Sequence, residues 1–109
     1  MFGRKPEAGH PDEISIAGYD FLGDSVEVAR LWIENDGPAT CLIQPDILAE
    51  PEMFGMLMVD TIRHAARAYS QCYGISEEDA LQRIWAGLDA ERDHNTTGLD
   101  TKQDFGKTN

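Results

Sequence analysis

The sequence predicts a small α+β domain: two or more strands packed against three helices, one of them long. Three observations carry that reading. Residues 51–73 hold an unbroken helical pattern between Pro51, well suited to a first helical turn, and Gly74, a common terminator. A second helical pattern, "ISEEDALQRIWAGLDAERD" (75–93), follows at once. Two short runs, "EISIAGYDF" (13–21) and "ATCLIQ" (39–44), are apolar and rich in β-branched or aromatic residues, as strands are.

In chain order, residues 1–13 combine Gly, Pro and charge without periodicity and read as a flexible N-terminal arm. The run at 13–21 reads as the first strand. "GDSVEVARLWIEN" (23–35) then reads as a helix capped by Asp24, with Glu27 completing a box-like signal three residues on. Val26, Ala29, Trp32 and Ile33 form its apolar face, and "DGP" (36–38) ends it. The second strand follows at 39–44. Strand, helix and strand within this span fit a βαβ unit, with an antiparallel arrangement left open.

The long helix comes next, and its apolar side holds Phe54, Leu57, Met58, Ile62, Ala65, Tyr69 and Cys72, widened by Val59 and Ala66. In the last helix Ser76 is a good N-cap, with Asp79 at the third helical position. Leu81, Ile84, Trp85 and Leu88 recur there at three- and four-residue spacing. Core packing is the expected role of Trp32 and Trp85, each placed on an apolar helix face. The single α+β domain therefore spans 14–93, and 94–109 read as a disordered polar C-terminal tail. Two strands make a marginal sheet and about 80 residues make a thin core, so a homodimer is expected.

Composition narrows the function classes. Twenty acids against nine Lys and Arg give a formal net charge of −11, which repels phosphate backbones and anionic membrane surfaces. No Lys/Arg-rich stretch supplies a basic face, so nucleic acid and membrane are not expected partners. The longest apolar run, Met53 to Val59, falls far short of the roughly 20 residues of a membrane span. The opening residues lack the apolar stretch of a secretory signal, and a cytoplasmic location is expected. Cys41 and Cys72 are isolated in sequence and read as buried free thiols. His10, His64 and His94 are scattered, so neither a metal site nor a cofactor is expected.

One cluster stands out. Asp60, Arg63, His64 and Arg67 share a face of the long helix, since residues three, four and seven apart are neighbours. Three accounts compete. As a solvated face, Asp60 pairs with Arg63 and His64, each pair contributing a few tenths of a kcal/mol. As a binding surface, Arg63 and Arg67 grip a carboxylate or phosphate of an acidic protein or a small anionic ligand. Met53 and Met56 then extend the stripe as adaptable contacts. As an enzyme site, Asp60 orients His64 as a general base, but the helix offers no well-placed nucleophile: Ser70 lies about 120° around it, Thr61 faces the core edge and Cys72 is two turns away on the apolar side. No catalytic residue is assigned. An acidic chaperone-like role has only size and charge behind it.

"VARLWIENDG", "LMVDTIRHAARAY" and "RIWAGLDAER", in that order, resemble a bacterial family of small proteins that carry a domain of unknown function. The resemblance covers about residues 14–93, and its most specific part is the pattern Asp60, Arg63, His64, Ala66, Arg67, Tyr69. It implies a small α+β domain, commonly a stand-alone protein, and no activity. The functional expectation is a non-catalytic binding or adaptor protein, a homodimer whose basic-polar stripe meets an acidic group. The alternative is a small-molecule enzyme using the Asp60/His64 pair.

Overall fold

The computed structural model describes residues 9–99 and 101–103. It contains one antiparallel hairpin, β1 (Ala29–Ile33) and β2 (Ala39–Ile43), and two helices, α1 (Pro51–Tyr73) and α2 (Glu77–Asp93). Single 3₁₀ turns lie at Asp20–Asp24 and Pro45–Ile47. The α+β class stands, and the third helix does not.

Residues 23–35, expected as a helix, instead finish a 3₁₀ turn, run extended and form β1. The spacing of Val26, Ala29, Trp32 and Ile33 does fit one helix face. However, "ARLWI" followed by a reversal and "ATCLI" also fits two paired strands, and the pairing wins. Its register sets Ala29 opposite Ile43, Leu31 opposite Cys41 and Ile33 opposite Ala39. The reversal uses Asn35–Gly37, with Asp36 at φ 53°, a left-handed conformation that Asp tolerates better than most residues. The Gly37 N–H donates to the Glu34 carbonyl at 2.9 Å. A hairpin replaces the βαβ unit. The first expected strand, 13–21, is irregular up to its 3₁₀ turn, because no segment among the described residues pairs with it.

Both helices end where their punctuation places them. Pro51 occupies the first turn of α1, and Gly74 closes it at φ 74° by donating its N–H to the Ser70 carbonyl at 2.9 Å. The Ser76 hydroxyl accepts the Asp79 N–H at 3.0 Å and so caps α2. α1 and α2 pack on each other around Ala66 and Ala80, the two residues that are buried among those described.

Neither strand comes within 8 Å, Cα to Cα, of either helix. Alternation along the strands places Ala29, Leu31, Ile33, Ala39, Cys41 and Ile43 on one face of the hairpin. That face is wholly apolar, yet Leu31 is 63% and Ile33 85% exposed. The opposite face carries Arg30, Trp32, Thr40 and Leu42, and the His10 ring stands edge-on to Trp32 at 5.1 Å. Trp32 thus packs from a strand rather than from a helix. The apolar side of α1 is also less covered than expected: Tyr69 is half exposed, and Cys72 and Val59 are exposed. Both cysteines are free and exposed, which corrects the expectation of buried thiols. The physical reason is common to these corrections: within one copy, the surfaces that would cover one another do not meet.

Candidate functional site

The stripe on α1 keeps the geometry the spacing requires. One rigid helix carries Asp60, Arg63, His64 and Arg67 on adjoining turns, and all four are exposed. Met53 and Met56 continue the stripe toward the helix start and are exposed as well. Arg67 Nε lies 3.5 Å from Glu77 Oε2 in the first turn of α2, a solvent-exposed pair that links the stripe to the second helix. Such pairs contribute ~0–1 kcal/mol. Among the described residues, Asp60, Arg63 and His64 make no side-chain hydrogen bond or ion pair, so the expected Asp60 pairing is absent. The structure brings the four residues together on an open surface and locks none of them to the others.

Nucleophile geometry is equally plain. The Thr61 hydroxyl donates to the Leu57 carbonyl at 2.8 Å, and the Ser70 hydroxyl to the Ile75 carbonyl at 2.6 Å. Both protons are committed to backbone. Two concavities lie away from the stripe. One, of about 580 Å³, is lined by Tyr69, Tyr73, Ile75, Ala80, Arg83 and Ile84, with the two tyrosine rings stacked 5.9 Å apart. The other, of about 530 Å³, lies between the hairpin and the chain before it, with Ile14, Ile16, Val26 and Leu31 in its lining. Among the described residues, no group of three His, Cys, Asp or Glu side chains could hold a metal ion. No described helix is long and apolar enough to cross a membrane.

Reading by pattern missed two features. The apolar hairpin face follows from the register, and its signal was "NDG" between two apolar runs, a common reversal sequence. The second is Gln103, whose side chain meets the outer edge of β2. A lone Gln in a polar tail gives no local signal of that contact.

Residues 21–96 match the family described as Domain of unknown function (DUF5076), the kind of family that the three helix and strand segments resemble. A solved structure from the photosynthetic bacterium Rhodopseudomonas palustrus CGA009 is similar to this chain: 34% identity, TM-score 0.59, with 95% of this chain and 99% of that one covered. That protein carries the provisional name of a pyruvate dehydrogenase. No curated protein matches.

Proposed function

The chain belongs to the DUF5076 family of domains of unknown function, and from that premise we propose that it is a homodimeric, non-catalytic binding or adaptor protein. Its stripe of Asp60, Arg63, His64 and Arg67 contacts an acidic group. The observation that carries this reading is the openness of the stripe: two exposed Arg side chains one turn apart, rimmed by exposed Met53 and Met56. Paired guanidinium groups suit a carboxylate or phosphate that binds at two points, and exposed methionines adapt to varied surfaces. The dimer is supported by the uncovered apolar hairpin face and by the exposed tyrosines of α1. Free thiols at Cys41 and Cys72 suit a reducing cytoplasm.

A second reading keeps a small-molecule enzyme using Asp60 as orienter of His64. The provisional name of the Rhodopseudomonas protein favours it, since pyruvate is a small carboxylate that an Arg pair would hold. The exposed, unbonded state of Asp60 and His64 weighs against it, because acid–base chemistry needs groups within hydrogen-bond reach.

The test is a titration of the protein with three probes, a polyglutamate peptide, inorganic phosphate and pyruvate, followed by backbone amide NMR. Binding by the stripe moves the amides of residues 60–67, and Arg63→Glu/Arg67→Glu abolishes those shifts. A response to the peptide alone favours an acidic protein partner; a response to phosphate or pyruvate favours a small anion. If no probe moves these amides, or the double variant responds as the wild type does, the binding reading falls. Turnover of pyruvate that His64→Ala abolishes would establish the enzyme instead.

A further inference from the structure

We infer that Gln103 guards the outer edge of β2: seated on Ile43, it keeps β2 from pairing with β2 of a second copy, and its departure opens that pairing. This is independent of the dimer proposed above, because it concerns the edge of the hairpin and not its faces. Strand alternation decides which backbone groups are at issue. The Gln44 N–H donates to the Val28 carbonyl at 2.8 Å, so Leu42 and Thr40, opposite Arg30 and Trp32, also bond inward to β1. Ala39, Cys41 and Ile43 then turn their N–H and C=O groups outward. An outward row of this kind is a template for another strand.

Gln103 takes both outward groups of Ile43, each at 2.9 Å. Beside it, Lys102 Nζ donates to Glu34 Oε2 at 3.2 Å, and the Thr40 hydroxyl donates to the same oxygen at 3.0 Å. The two residues are thus attached near opposite ends of β2. Among the described residues, no hydrogen bond is made by the outward N–H of Ala39 or of Cys41. β2 has no other protection of its own. "ATCLI" holds neither a charge nor a proline, the usual means of blunting an edge, whereas β1 carries Arg30, ion-paired to Glu27 at 2.7 Å. The pairing that Gln103 blocks is self-complementary. Antiparallel about a two-fold axis at Cys41, it sets Cys41 opposite the partner's Cys41 and Ile43 opposite the partner's Ala39, each pair exchanging its N–H and C=O groups. No like charges meet there, although the chain carries a net charge of −11. Two marginal two-stranded hairpins become one four-stranded sheet, which is the driving force.

The test compares full-length wild type, Gln103→Ala and Gln103→Ala/Cys41→Pro over a range of concentrations, by light scattering and by backbone amide exchange in NMR. Loss of the guard is expected to favour the open edge about fivefold per copy, so two copies of Gln103→Ala pair about 25-fold more tightly than wild type. At low concentration the Ile43 amide of Gln103→Ala exchanges faster than in wild type. As concentration rises, mass increases from a point about 25-fold below that of wild type, and the Cys41 and Ile43 amides become protected together. Proline at position 41 lacks the outward N–H and leaves the bonds to β1 in place, so Gln103→Ala/Cys41→Pro returns to the wild-type mass. Gln103→Ala with wild-type mass and an unprotected Cys41 amide overturns the inference. So does a mass increase that survives Cys41→Pro, which places the contact elsewhere. Equal protection of Cys41 in the wild type overturns it too, since β2 is then already paired. The wild-type mass by itself decides the homodimer reading, so either can fall while the other stands.

Discussion

Gln103 holds both backbone groups of Ile43. Its side-chain oxygen accepts the Ile43 N–H at 2.9 Å, and its side-chain amide donates to the Ile43 carbonyl at 2.9 Å. The Gln44 N–H donates to Val28 across the ladder, so Ile43 turns its own groups outward, away from β1. One side-chain amide therefore does at Ile43 what a third strand would do. Gln103→Ala returns that edge to water. Two hydrogen bonds at ~0.5–1.5 kcal/mol each, partly replaced by solvent, give a net loss of about 1 kcal/mol. The expected result is amide exchange at Ile43 about fivefold faster, with exchange in α2 unchanged.

The neighbouring Lys102 makes this attachment sensitive to acid. Lys102 Nζ donates to Glu34 Oε2 at 3.2 Å, and the Thr40 hydroxyl donates to the same oxygen at 3.0 Å. Lys102, then Thr40, hold the Glu34 carboxyl below its ordinary value of 4.5. A carboxyl depressed on folding contributes its full stability above the unfolded value, and that contribution is lost as pH falls through the folded value. Contact between residues 102 and 34 is thus intact near neutrality and weakens below about 4.5. Carbon-13 titration of Glu34 should show the depressed midpoint, and Lys102→Met should return it toward the ordinary value. An unchanged midpoint in Lys102→Met would remove the ion pair from the account.

The turn between the helices carries two separable costs. Gly74 sits at φ 74° with open space around it, so an added Cβ meets backbone strain rather than a clash. Gly74→Ala should destabilise by about 1 kcal/mol, the left-handed penalty for a residue with a side chain. Ser76→Ala removes the acceptor of the Asp79 N–H, at a cost of about 1 kcal/mol. Thermal melts by circular dichroism should show each loss, with the mutual sum nearly additive only if the two ends of the turn act independently.

Legibility in this sequence followed punctuation. Pro51, Gly74 and Ser76 fixed both helices because each acts through its own backbone chemistry, with no need of a partner. Residues 23–35 went the other way, since Val26, Ala29, Trp32 and Ile33 satisfy a helical period while their neighbours satisfy a strand. A pairing partner at 39–43 decided between them, and pairing is not a local property. The stripe was legible for the same reason as α1: fixed spacing on one helix places four side chains. Its link to Glu77 was not, because that depends on how α2 turns back.

That link has a consequence for binding. Glu77 already offers a carboxylate to Arg67 at 3.5 Å, so any acidic partner at the stripe competes with it. Glu77→Gln should free Arg67 and tighten binding of the polyglutamate probe, by at most about fivefold given the ~0–1 kcal/mol value of an exposed pair. The gain should vanish in high salt, which screens both pairings. Weaker binding by Glu77→Gln would show that the acidic group belongs to the site rather than competing for it.

Charge and apolar surface can finally be tested against each other, because they occupy different elements. Arg63 and Arg67 lie on an open polar stripe of α1, whereas Leu31 and Ile33 lie on the apolar face of the hairpin. Reversing the charges in Arg63→Glu/Arg67→Glu should leave a folded dimer with no binding of the acidic probe. Leu31→Asp/Ile33→Asp should do the opposite. Both side chains are exposed within one copy, so the substitution costs a single copy little. Across a two-fold dimer, however, it removes four buried side chains at ~1.5–3 kcal/mol each, enough to dissociate a complex of ordinary affinity. Light scattering on the two variants separates the roles. A monomeric Arg63→Glu/Arg67→Glu would make the stripe itself the self-association surface, and a dimeric Leu31→Asp/Ile33→Asp would leave the hairpin face without a function in assembly.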